Sequence, residues 1–172
     1  LNYFRFNKDN TVVVKEIKIS NSTLKNLNRS LIMFWSGITR SADSILEDQG
    51  KNIAFNKSYM TEIRDLNQYL LKIINSGNLS IKTIGNLMHE SWMYKKKLST
   101  KITNKKIDKA YNIAIEEGAY GGKILGAGGG GFLLLICNPK YHNKIQTKLE
   151  QNNFKKFDFN LANSKSIVKT IY

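Results

Sequence analysis

Fourteen residues, Gly118-Ala119-Tyr120-Gly121-Gly122-Lys123-Ile124-Leu125-Gly126-Ala127-Gly128-Gly129-Gly130-Gly131, hold eight of the twelve glycines in this 172-residue chain. Glycine at such density costs backbone entropy and is kept where other residues fail. Two needs fit: positive φ in a tight loop, or close approach of backbone N–H groups to an anion. Gly126, Ala127, Gly128, Gly129, Gly130 and Gly131, with the cation Lys123 just upstream, therefore point to phosphate chemistry.

Two well-known glycine motifs fail on the residues. A Walker A loop requires Gly, four residues, then Gly-Lys-Ser/Thr. Here Glu117 stands at the first glycine position and Ile124 follows Lys123, so the hydroxyl for Mg²⁺ is missing. A G-x-G-x-x-G fingerprint is formally present as Gly126, Gly128 and Gly131. Its physics requires a helix after it, to meet a pyrophosphate with its N-terminus. Six apolar residues, Phe132 to Cys137, follow instead and read as a buried strand.

The segment resembles the C-terminal glycine-rich signature of the GHMP kinases, the superfamily of galacto-, homoserine, mevalonate and phosphomevalonate kinases. Small residues, Gly-Gly-Lys, an apolar pair, then Gly-Ala-Gly-x-Gly-Gly leading into a strand are all present from Gly118 to Gly131. Other segments look like the branch that phosphorylates D-glycero-D-manno-heptose 7-phosphate at its anomeric hydroxyl. These are Leu1–Phe6, Leu31–Ala42 with its Ser-Gly-Ile-Thr-Arg-Ser-Ala ending, and His89-Glu90-Ser91-Trp92 with Lys95, Lys96 and Lys97. The resemblance implies an ATP-dependent sugar kinase using ATP and Mg²⁺, with a sugar phosphate as substrate. It implies a loop formed by Gly126–Gly131 beside the ATP phosphates, with Lys123 at a phosphate or a neighbouring domain. It also implies substrate contacts from Gly37, Thr39 and Arg40. A fucose, galactose or mevalonate kinase, or a non-catalytic module of the same fold, stays open as an alternative.

The superfamily's central Pro-x-x-x-Gly-Leu-x-Ser-Ser-type loop and its substrate signature have no counterpart; the only proline is Pro139. The resemblance also puts the catalytic Asp upstream of Leu1, so no catalytic residue is assigned here. The chain thus reads as the C-terminal portion of a larger kinase, inactive alone and partnered by an N-terminal kinase domain. Residues 1–28 are expected to be trailing strands of that domain, and residues 29–172 the C-terminal domain.

The elements that must position these groups follow from periodicity. Alternation over Thr11–Ile19 predicts a half-exposed strand, and Leu24–Arg29 a short helical turn capped by Asn21 or Ser22. Leu31–Trp35 is a second strand. Helices are predicted over Ser41 to about Asn52, near Ser58–Ser76 and Ser80–Leu98, and over Lys105–Glu117 with Gly118 as its stop. After the glycine loop come the strand Phe132–Cys137, a helix from about Pro139 to Gln151, and strands Lys155–Leu161 and Lys165–Ile171. This order suits an α+β, ferredoxin-like domain, with helices on one face of an antiparallel sheet. His89 and Trp92, at i,i+3 spacing, read as a core or domain-interface pair.

The chain is one domain in size, with 41% hydrophobic residues. Its apolar runs are too short to span a bilayer. A single cysteine, Cys137, excludes a disulfide framework and reads as a small core residue. Two histidines and one cysteine make a structural zinc site untenable. A cytoplasmic setting, with no membrane partner, is the expectation. The formal charge of +14 invites a nucleic-acid partner, yet only four of the 27 basic residues are Arg. Lysine spread along the chain lacks the bidentate contacts such partners favour, so the surplus charge suits small anions instead.

Overall fold

The computed structural model describes residues 1–161. The predicted strand over Lys165–Ile171 lies outside the described residues. The longest uninterrupted apolar runs become the central strands, β3 (Leu31–Trp35) and β5 (Phe132–Cys137), with the bounds expected from sequence. Between them lie α2 (Asp43–Lys51), α3 (Ile53–Asn75), α4 (Ile81–Lys96), α5 (Lys105–Glu116) and β4 (Ala119–Ile124). A 3₁₀ turn at Pro139–Tyr141, α6 (His142–Glu150) and β6 (Lys155–Phe157) complete the domain. Ahead of it, β1 (Asn2–Phe6) and β2 (Val12–Glu16) pair as a separate hairpin, and α1 (Asn21–Ser30) runs straight into β3.

Side-chain caps start α1, α4 and α5. The Ser80 hydroxyl accepts the Thr83 N–H at 3.0 Å to open α4, and Asn104 accepts the Ile107 N–H at 3.1 Å to open α5. Ser20 caps α1 by accepting from Thr23, one residue before Asn21 and two before Ser22, because both of those are already helical. The last described strand ends at Phe157 rather than Leu161.

The four strands of the main sheet lie in the order β4-β5-β3-β6, every neighbour antiparallel. Counted within the domain this is 2-3-1-4, the ferredoxin-like arrangement, with the first crossover enlarged to four helices. Phe34 of β3 and Ile124 of β4 both register on Leu133 of β5, and all three are fully buried. That face of the sheet joins Ile107, Ala110, Tyr111 and Ala114 of α5 and Ile145 and Leu149 of α6 in one core. Trp92 of α4 sits in it too, whereas its expected partner His89 is half-buried at the edge, with Nδ1 2.9 Å from the Tyr111 hydroxyl. Cys137 is buried there as well.

Strand β4 is a correction. The sequence reading treats Gly118–Gly131 as one loop leaving a helix, but Ala119–Ile124 pairs with β5 and only the following residues form the turn. Its glycines hid it, since they carry no strand propensity. They serve close packing against α4: a Cβ on Gly121 would lie 2.0 Å from the Gly85 carbonyl oxygen, and one on Gly85 2.3 Å from Tyr120 Cβ. A bulge between Ala119 and Gly121 brings the strand to that approach.

Candidate functional site

The β4–β5 hairpin closes through the Leu125 N–H donating to Phe132 O at 2.9 Å, which leaves Gly126–Gly131 as its connecting loop. Two segments of the same chain grip this loop. On one side the Gly131 N–H donates to Ile38 O at 2.8 Å, and the Ser36 N–H donates to Gly131 O at 3.0 Å. On the other, the Gly129 N–H donates to Ile102 O at 2.7 Å, and Asn104 Nδ2 donates to Gly129 O at 3.2 Å. Side chains would break this fit: a Cβ at position 128 would lie 2.7 Å from Ile102 O, and one at 130 would lie 2.6 Å from Ile38 O.

The glycines therefore divide by role. The amides of Gly129 and Gly131 are satisfied by the protein itself, whereas those of Gly126, Ala127, Gly128 and Gly130 make no hydrogen bond of good geometry among the described residues. Gly126, Gly128, Gly129 and Gly131 have positive φ, and unpaired amides in such a turn suit an anion. Gly126 is exposed, Gly129 and Gly130 are buried, and Ala127, Gly128 and Gly131 lie between.

The structure brings the two sequence-predicted groups together. Gly37, at φ +74°, turns the chain out of β3 so that Ile38 can seat Gly131, and Thr39 and Arg40 follow, both exposed. The Arg40 side chain runs beside the loop, its Cδ 3.4 Å from where a Gly129 Cβ would be. Lys123 is not in the loop. It lies in β4, half-buried, on the sheet face opposite Ile124 and the core.

Sequence reasoning missed the groups that hold the site in shape. Lys95, at the end of α4, donates to Gly126 O at 2.5 Å. Burial, and then the nearby Lys123 ammonium, lowers the Lys95 ammonium to about 8. Lys106 donates to Ser36 O at 2.7 Å, and Lys101 donates to Ser44 O at 3.4 Å. Among the described residues none of Lys95, Lys101, Lys106, Lys123 and Arg40 pairs with a carboxylate. Their charge is left for something else, in contrast to Lys96, which sits 3.1 Å from Asp108.

The turn between α4 and α5 that receives Gly129 is itself anchored. Buried Asn56 of α3 donates to Leu98 O at 2.8 Å, the Ser99 hydroxyl donates to the Asp48 carboxylate of α2, and the Lys101 N–H donates to Ser99 Oγ at 3.1 Å. In sequence Asn56 falls between two predicted helices, and it is helical because α3 begins at Ile53 rather than near Ser58. An accessible loop flanked by cations that have no carboxylate partner among the described residues is an arrangement suited to an anion.

Comparison with known proteins gives this geometry relatives. The family described as GHMP kinases, C terminal, matches residues 70–156. A D-glycero-alpha-D-manno-heptose 7-phosphate kinase of Campylobacter jejuni is 29% identical over 168 residues, covering 96% of this chain and 49% of that protein. The chain thus spans about half the length of this curated relative. Among solved structures, L. major mevalonate kinase in complex with R-mevalonate aligns with a TM-score of 0.68 at 16% identity, over 87% of this chain and 44% of that one. A D-glycero-D-manno-heptose 1-phosphate kinase from Bacteriodes thetaiotaomicron aligns with a TM-score of 0.60 at 19% identity, over 92% and 41%. At these identities the structures establish the fold, and the family match over half of the chain carries the assignment: the protein belongs to the GHMP kinase C-terminal family.

Proposed function

We propose that this chain is the C-terminal part of an ATP-dependent sugar kinase. It would act on D-glycero-D-manno-heptose 7-phosphate at the anomeric hydroxyl to give the 1,7-bisphosphate. The observation that carries the reading is the seating of Gly131 on Ile38, which brings the unpaired loop amides beside Arg40. The similarity over 96% of the chain to a heptose 7-phosphate kinase supports the choice of sugar. Residues 1–28 are assigned to the preceding domain, and that domain supplies the catalytic Asp and the principal ATP loop. The chain alone is then inactive, and the setting is cytoplasmic.

The residues present fit the phosphates of ATP: unpaired N–H groups at Gly126, Ala127, Gly128 and Gly130, ringed by cations without carboxylate partners. ATP supplies the transferred phosphoryl group, and Mg²⁺ is proposed only as the ion that accompanies it. No cluster of three or more carboxylate, imidazole or thiol groups occurs among the described residues, so no metal ligand is assigned in this chain. Phosphoryl transfer depends mostly on positioning and charge neutralisation. The free amides hold a phosphate oxygen and Arg40 forks the 7-phosphate, while the missing side chains at Gly128, Gly129 and Gly130 let the loop seat against Ile102, Lys101 and Ile38. Gly37 and Thr39 shape the sugar side of the pocket.

A substrate panel on the intact protein with ATP tests the reading, comparing heptose 7-phosphate with free hexoses, fucose, galactose and mevalonate. Heptose 7-phosphate should give the highest kcat/KM and a 1,7-bisphosphate product. Faster turnover of mevalonate or a free sugar overturns the substrate assignment, and no turnover of any of them favours a non-catalytic module.

A further inference from the structure

The outer face of the β4–β5 hairpin carries cations that the chemistry on the Arg40 side leaves unused. Lys123 lies on the face of β4 away from the core, in register with Leu134. It lines a cavity of about 190 Å³ with Ser91, Asn67, Leu66, Leu70 and Met88, from α3 and α4. One helical turn beyond Ser91, Lys95 reaches the Gly126 carbonyl with its ammonium. An ammonium has three donors, so two remain at Lys95 and three at Lys123. Neither lysine meets a carboxylate among the described residues. The lining contributed by α3, Leu66, Asn67 and Leu70, carries no charge either.

Ser91 and Lys95 lie one turn apart on α4, the helix that packs on β4, so both ammonium groups sit on the same side of the hairpin. Like charges there repel, and a low-dielectric surround strengthens that repulsion. Burial, the larger cause, and then the Lys123 charge lower the Lys95 ammonium to about 8. A doubly negative group between them removes the repulsion. We propose that Lys95 and Lys123 form a binding site for a phosphoryl group on the outer face of the glycine loop, separate from the Arg40 side. Ser91 and Asn67 offer further polar contacts at its rim. Because Lys95 also holds Gly126, occupancy of this site is linked mechanically to the start of the loop. The choice of a phosphoryl ligand rests on the phosphate-binding reading above; the anion site itself does not.

The test is anion binding to the intact protein, followed by NMR of ¹³C-labelled lysine. Inorganic sulfate serves as the probe, because its charge stays constant across the pH range. Sulfate should saturate the Lys95 and Lys123 signals and raise the Lys95 pKa. Lys95→Met and Lys123→Met should each weaken binding by about tenfold or more, the effect of losing one charge-assisted hydrogen bond. Lys95→Arg should retain binding, and Lys123→Met leaves the Gly126 contact in place should Lys95→Met disturb the loop. Wild-type affinity should fall as pH rises from 7 through about 8 to 9 while Lys95→Arg stays flat. Competition by a sugar phosphate and by a non-hydrolysable ATP analogue then identifies which phosphate occupies the site. Absence of saturable binding, or binding that both Met variants leave within about twofold, overturns the proposal. A failed substrate panel with lysine-dependent sulfate binding would remove only the kinase reading, and the converse result only this site.

Discussion

The Gly129 amide donates to the Ile102 carbonyl at 2.7 Å, across a contact too tight for any side chain at position 129. A loop that reads as an anion cradle is therefore first a packing device. It fills the gap between the turn after β3 and the turn after α4, and only the amides left without a partner are free for a ligand. A stability comparison separates the two roles. Gly126 and Gly129 share nearly the same backbone, φ +72° and +73°, but a Cβ meets nothing within 4 Å at 126 and lies 2.7 Å from Lys101 O at 129. Gly126→Ala should lose about 1–2 kcal/mol from left-handed strain alone. Gly129→Ala should lose a further ~1–3 kcal/mol from overpacking against backbone. Urea denaturation of both variants checks this, and equal losses would show that the loop yields where the contacts say it cannot.

The α4–β4 contact gives a paired prediction of opposite sign. Gly50 of α2 has open space around its Cβ position and no positive φ, so Gly50→Ala should stabilise by about 0.5 kcal/mol through helix propensity. At Gly85 the new methyl would sit 2.3 Å from Tyr120 Cβ and 2.9 Å from Ile136 Cγ2, and the loss should be ~2 kcal/mol or more. Thermal melts of the two variants should move in opposite directions. A neutral Gly85→Ala would refute the close approach of α4 to β4.

Arg40 tests the substrate assignment in the intact protein. Its guanidinium has no carboxylate partner among the described residues, and its stem runs beside Gly129. Arg40→Ala should raise KM for the sugar phosphate about tenfold or more and leave KM for ATP nearly unchanged, as loss of a charged fork predicts. Arg40→Lys should recover part of the loss, because an ammonium keeps the charge without the fork. A rise in the KM for ATP alone would move Arg40 to the nucleotide side.

Cys137 offers a probe of the core that is independent of function. The thiol is fully buried on the core face of β5, and burial pushes it up to about 12. Since the thiolate is the reactive form, the native protein should resist thiol reagents at pH 8 and release one thiol per chain in denaturant. Rapid labelling of the native protein would mean that β5 opens far more readily than a central strand should.

Much of this was legible beforehand because it is local. Leu31–Trp35 and Phe132–Cys137 are short apolar runs bounded by polar or glycine residues, and both became strands with those limits. The apolar spacing of Ile107, Ala110, Tyr111 and Ala114 placed one face of α5 in the core. β4 escaped because Gly121 and Gly122 carry no β signal of their own. Its strand state comes from pairing with β5 and from α4 pressing against it, and both partners are remote in the sequence.

The sequence by itself determined the family signature of the loop, since eight glycines ahead of an apolar strand belong to few designs, and it determined the α+β order of elements. Only the tertiary structure decided which amides of that loop are free. Lys95 meets Gly126 across 31 positions, and Asn56 braces Leu98 across 42. Periodicity and turn chemistry are written within a few neighbouring residues. Contacts between distant backbones exist only once the core has closed, and they assign Gly129 to Ile102 while leaving Gly128 and Gly130 with their amides unpaired.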